Sequence, residues 1–212
     1  MERLPELDQA YALLEREGVP PHIVRHCEKV ALVGTFLALE LLRCGEQVPV
    51  KLVTVGGLLH DLTKHHSIRT GENHAQSARR RLLELGYPEV AEVVGNHIFL
   101  KPGPPGAPIR ADELVYYADK RVRHEEIVTL RERFVDLRER YGRRPASWVR
   151  IWHLEELTKL LERRIFKRLP FGPERVLELN RVEDIRECLI AWLSFAEGTL
   201  RNGRSPFAAE KR

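Results

Sequence analysis

Apolar residues recur at three- and four-residue intervals along nearly the whole chain. No run alternates β-branched and polar positions, so the pattern predicts an all-α fold. A first amphipathic stretch covers Leu7 to Glu17 and stops at "GVPP", where Pro20 and Pro21 let a new helix start without losing a needed N–H. The second helix runs to about Cys44, with Gly45 as its stop. On it His26, Val30, Val33 and Leu37 fall on one face at i, i+4, i+7 and i+11, which places an imidazole on an apolar stripe. A third helix from about Pro49 to His60 contains the pair Gly56 and Gly57, whose missing side chains let another backbone come close.

Beyond His60, "SIRTGEN" reads as a loop. Helices follow from His74 to Gly86 and from Pro88 to about His97, and the prolines and glycines of "KPGPPGAPIR" make the next segment a loop. A helix beginning near Ala111 carries "ADELVYYADKRV". The last third holds charged amphipathic helices, among them one in which the spacing of Trp148, Trp152 and His153 suits packing in a core or a dimer interface.

A chain of 212 residues with 43% hydrophobic content can bury a substantial core. Its net charge of +4 is a small excess over 31% charged residues, and the basic positions are interleaved with acidic ones. That balance suits an anionic small molecule and disfavours nucleic acid. Cys27, Cys44 and Cys188 show no CxxC spacing, and "MERLPELDQAYALLEREG" lacks the apolar segment of a signal peptide. The expected setting is cytoplasmic and reducing, with no membrane partner.

The stretch "GGLLHDLTKHH" sets His60 and Asp61 side by side at the end of an apolar helix. Polar groups there cost free energy unless satisfied, roughly 1–3 kcal/mol each when unpaired, and a metal ion would satisfy both. His26, His60, Asp61, His74, His97 and Asp119 together supply four imidazoles and two carboxylates with no sulfur. Such a donor set suits Fe, Mn, Co, Ni or Zn. A carboxylate beside a histidine can bridge two divalent ions, with His26, His60 and Asp119 around one, His74 and His97 around the other, and Asp61 shared.

This ordered set resembles the HD-domain phosphohydrolase superfamily, and among its members the six-ligand, di-metal type. "LLHDLTK" is similar to the LLHDxxK form of small bacterial proteins that include symmetrical diadenosine tetraphosphate hydrolases. The resemblance covers roughly Pro21 to Glu125. Leu62 and Thr63 replace the Ile-Gly of the HDIG form, and neither the GYP element of cyclic-di-GMP phosphodiesterases nor an alarmone synthetase domain is present. The implied division is an HD core over 1–125, a helical extension over 126–200 packed on it, and a flexible tail over 201–212.

The resemblance implies a metal-dependent phosphohydrolase that cleaves a nucleotide-like phosphoester or phosphoanhydride with a metal-activated water. Asp61 and Lys64 would be its catalytic residues, since Lys64 lies one helical turn past Asp61 and can reach a phosphate oxygen. His65, Arg81, Lys101 and Arg123 are further candidates for substrate contact, each with a plainer alternative as a solvated or ion-paired surface residue. Arg121 near Asp119 is open to the same two readings. Two other functions fit the same ligands: an HD-fold di-iron oxygenase, and a catalytically silent metal- or nucleotide-binding regulatory module. The C-terminal helices could also pair two copies in a homodimer.

Overall fold

The computed structural model describes residues 4–101, 103–104 and 106–201, so the tail expected at 201–212 lies, beyond Arg201, outside the described residues. In chain order the helices are α1 (Leu7–Arg16), α2 (Pro21–Arg43), α3 (Val50–Leu59), α4 (Lys64–Thr70), α5 (His74–Glu84), α6 (Pro88–Gly95) and α7 (Ala111–Lys120). A hairpin of β1 (Val122–Arg123) and β2 (Glu126–Ile127) follows. The chain continues through α8 (Leu130–Tyr141), α9 (Pro145–Phe166), a 3₁₀ segment (Pro173–Arg181) and α10 (Ile185–Arg201). The fold is all-α, and the hairpin is too short to leave an alternating pattern in the sequence.

α2 and α3 form the centre, and their approach is closer than ordinary side chains allow. A Cβ added to Gly57 would lie 2.8 Å from the Cα and 3.0 Å from the backbone nitrogen of Ala31, and one added to Gly56 would strike Val93 at 2.8 Å. The glycine pair thus seats α3 against α2 on one side and α6 on the other. Between the same two helices Thr35 and Thr54 share a hydroxyl–hydroxyl bond of 2.8 Å. Each is also tied to the carbonyl four residues back, Thr35 to Ala31 and Thr54 to Val50, so neither buried hydroxyl lacks a partner.

α7 lies across both helices, α6 closes α3, and α10 returns to pack on α2. Phe134, Leu161, Val176 and Ala196, all beyond residue 126, share one continuous apolar cluster with Val30, Leu37 and Val115. Burial at these positions contributes on the order of 1.5–3 kcal/mol for each large side chain.

One sequence expectation is corrected, and one of two alternatives is dropped. "SIRT" is not loop: the chain turns at Asp61–Thr63, and Lys64 begins a new helix that ends at Gly71 in the left-handed region, φ 75°. Buried Ser67 anchors that short helix, which the polar composition of the segment concealed. Trp148 and Trp152 are 49% and 45% exposed, so they are not core in the single chain; the buried stripe of α9 runs instead through Ile151, Thr158, Leu161 and Ile165. No helix among the described residues is long and apolar enough to cross a membrane.

Candidate metal centre

Five segments deliver the polar groups to one point. His26 comes from the second turn of α2, His60 and Asp61 from the turn after α3, His74 from the first residue of α5, His97 from the turn after α6, and Asp119 from the last turn of α7. All but His74 are buried. His26 Nε2 lies 3.3 Å from Asp119 Oδ1 and 3.8 Å from Asp61 Oδ2, and His60 Nε2 lies 3.3 Å from Asp61 Oδ2 and 3.8 Å from Asp119 Oδ1. On the other side of Asp61, Oδ1 faces His74 Nε2 at 3.3 Å and His97 Nε2 at 3.7 Å. The two oxygens of one carboxylate therefore look toward two separate imidazole pairs.

The imidazoles are oriented from behind. His26 Nδ1 donates to the carbonyl of His124 at 2.7 Å, His60 Nδ1 to that of Gly57 at 2.7 Å, and His97 Nδ1 to that of Val94 at 2.6 Å. A proton on Nδ1 leaves Nε2 with a lone pair, and three such lone pairs converge on the two carboxylates. His124 reaches its position with φ 56°, in the left-handed region, at the tip of the β1–β2 hairpin. That conformation costs about 1–2 kcal/mol for a residue with a Cβ and turns its carbonyl toward His26.

The charges are set by what faces them. Burial alone would push both carboxyls up, but Lys64 and His60 beside Asp61, and Lys120 and His26 beside Asp119, hold each well below the usual carboxylate range. Burial lowers His97 to about 3, with His60 nearby acting in the same direction, so its imidazole stays neutral. Burial also opposes charge on His60, but the Asp61 carboxylate outweighs it and raises its proton affinity. The site is thus ionised at its oxygens and basic at a ring nitrogen, the condition in which a cation binds.

Whether the residues fit a metal is answered by the atoms without partners. His60 Nε2 and Asp61 Oδ1 are buried side-chain atoms that no hydrogen bond satisfies. Ligating atoms of His26, His60 and Asp119 lie within 4.8 Å of one another, as do those of His60, Asp61 and His97. Nitrogen and carboxylate oxygen donors without sulfur match a divalent first-row ion.

A family model for the HD domain matches residues 23–144. The chain belongs to the HD domain family. HD domains bind divalent metals, and the family consists generally of metal-dependent phosphohydrolases. An uncharacterized protein of Methanocaldococcus jannaschii is 34% identical over 96 residues, which are 44% of this chain and 54% of that protein. The chain thus spans about half the length of the curated relative it matches. No solved structure matches it. The HD match continues past residue 125 into α8, and so takes in the hairpin that supports His26.

Around the HD centre, Lys64 puts its ammonium 2.5 Å from Asp61 Oδ2 with its side chain 36% exposed. Arg81 gives two nitrogens to Glu17, at 3.0 and 2.8 Å, and a third to Glu84. His65 is half-buried, with its ring centroid 3.9 Å from that of His66 and the two planes tilted by 46°. Lys101 is exposed, and Arg123 pairs with Glu126 across the hairpin at 2.8 Å. Arg121 fits neither reading made from the sequence: it is fully buried and donates to Val128 O, Tyr117 Oη and Pro173 O.

Sequence reasoning missed Lys120. This residue is 7% exposed, with its ammonium 2.5 Å from Asp119 Oδ2. Its place at the end of a helix is the common one for a lysine, so no local signal marked it.

Proposed function

We propose that this HD protein hydrolyses a nucleotide-like phosphoester or phosphoanhydride, with two divalent ions held by His26, His60 and Asp119 on one side, His74 and His97 on the other, and Asp61 between them. The observation that carries this reading is the two-sided Asp61, each of whose oxygens faces its own pair of imidazole Nε2 atoms. Ions bound there would neutralise phosphate oxygens and bring the pKa of a coordinated water toward neutrality.

The remaining work falls to the chain. The Nδ1 bonds to His124, Gly57 and Val94 hold the rings in one tautomer and one orientation, so no side chain has to reorganise as charge develops. Among the described residues Lys64 is the one ammonium that touches the centre and is also substantially open to solvent, and it can donate to a phosphoryl oxygen while remaining beside Asp61. His74, with its side chain 25% exposed, marks the same open side. In-line attack asks for positioning and charge stabilisation, which these groups supply.

The test is to purify the protein without chelator, measure metal per chain, and screen mononucleotides and dinucleoside polyphosphates with Mn, Fe, Co, Ni and Zn. Two ions per chain with release of phosphate or nucleotide is the expected result. Oxygen uptake without phosphate release would move the reading to an oxygenase, and tight nucleotide binding without turnover would move it to a regulatory module.

A further inference from the structure

The two carboxylates of the centre are not used alike. Asp61 turns both oxygens toward imidazoles, with the partly exposed Lys64 ammonium also 2.5 Å from its Oδ2, whereas Asp119 offers only Oδ1, to His26 at 3.3 Å and His60 at 3.8 Å. Its Oδ2 is taken by the Lys120 ammonium at 2.5 Å. That ammonium also reaches the carbonyl of His97, 3.4 Å away, and lies 4.7 Å from the centroid of the Tyr116 ring. The Tyr116 hydroxyl is in turn fixed by a 3.1 Å bond to Thr158 on α9. A lysine at a helix end normally extends into water, and a buried ion pair gives little net stability over apolar packing. Stability alone therefore does not account for Lys120.

We infer that Lys120 is a positioning residue that holds Asp119 as a ligand through Oδ1 alone. By occupying Oδ2 with a buried ammonium it would leave Asp119 one oxygen, Oδ1, to offer a metal. By holding the carbonyl of His97 it also ties the two halves of the centre together across the Asp61 axis. This inference rests on the metal-centre reading above but not on any particular substrate.

The experiment loads the full chain with Co²⁺ and compares wild type with Lys120→Met, Lys120→Leu and Lys120→Arg. In the Met and Leu variants Asp119 is free to chelate, so the coordination number rises and the visible Co²⁺ absorption weakens. Mn²⁺ affinity, measured by calorimetry, is expected to change by about 10- to 100-fold, as for other groups that orient a metal ligand. With a nucleotide substrate kcat should fall while KM stays near the wild-type value. Lys120→Arg, which keeps a cation on Oδ2, should retain the wild-type spectrum. Met and Leu variants with an unaltered Co²⁺ spectrum and unaltered Mn²⁺ affinity would overturn the inference, and either folded variant suffices. Wild type that takes up no Co²⁺ would overturn the metal centre itself and this inference with it.

Discussion

Two buried polar clusters lie at opposite ends of α7, and they are built on opposite plans. At its N-terminal end Glu113, fully buried, accepts hydrogen bonds from the backbone nitrogens of Gly103 and Arg110 and from two nitrogens of Arg164 on α9. Donors surround the carboxylate, and the 103–110 segment is pinned to α9 as a result. At the C-terminal end Asp119 and Asp61 gather four imidazoles, yet His60 Nε2 and Asp61 Oδ1 are left without partners. A buried carboxylate that is fully paired is part of the scaffold. One whose oxygen is held ready and unpaired is waiting for something the chain does not contain.

Asp61→Ala gives the sharpest contrast between the two ends. It should abolish both metal retention and hydrolysis while the melting temperature of the chelator-treated protein stays close to that of wild type; metal analysis beside a thermal melt checks it. Full activity in this variant would end the proposed mechanism. Lys64→Ala should keep the metal and lower kcat by about 100-fold, the scale seen when one donor to a developing charge is removed. Metal content beside single-turnover rates separates it from Asp61→Ala.

Glu113→Gln should do the reverse, leaving metal per folded chain unchanged and costing roughly 3 kcal/mol by stranding Arg164. That loss would lower Tm by about 6–12 °C for a chain of this size. Burial tends to raise the carboxyl of Glu113, but Arg164 and the two backbone N–H groups outweigh it and depress its pKa. Its contribution to stability is therefore present above the unfolded glutamate value of about 4.3 and is lost as pH falls through the depressed folded value. The difference in Tm between Glu113→Gln and wild type should accordingly shrink below pH 4.3. Gly57→Ala is the smallest change and touches both themes, since its Cβ would press on the Ala31 backbone beside His26. About 1–3 kcal/mol of destabilisation is expected in a denaturant melt, with a weakening of metal affinity in proportion to the shift of the Gly57 carbonyl.

The sequence revealed whatever lies on a repeating face or a marked boundary. His26 stood out because it interrupts an apolar stripe, and Gly56 and Gly57 because tandem glycines inside a helix need a close neighbour; Val93 and Ala31 are those neighbours. What it hid depends on distant chain. Lys120 is buried by Tyr116 and His97, and Arg121 by carbonyls 7 and 52 residues away, so neither differs locally from a solvated basic residue. The support of His26 by the His124 carbonyl was equally invisible, because a backbone oxygen carries no residue signature and is brought into place by a hairpin of two-residue strands.

His26 and Asp119 are 93 positions apart in the chain and 3.3 Å apart in space. Ions held by both, and by the three segments between them, would form a clasp that closes most of the first half of the polypeptide into loops that cannot reopen one at a time. Loading the centre would then withdraw local fraying from α4 and α5 as well as from the ligands themselves, and a protease offered the loaded protein would find fewer transient cut sites there than in the stripped one.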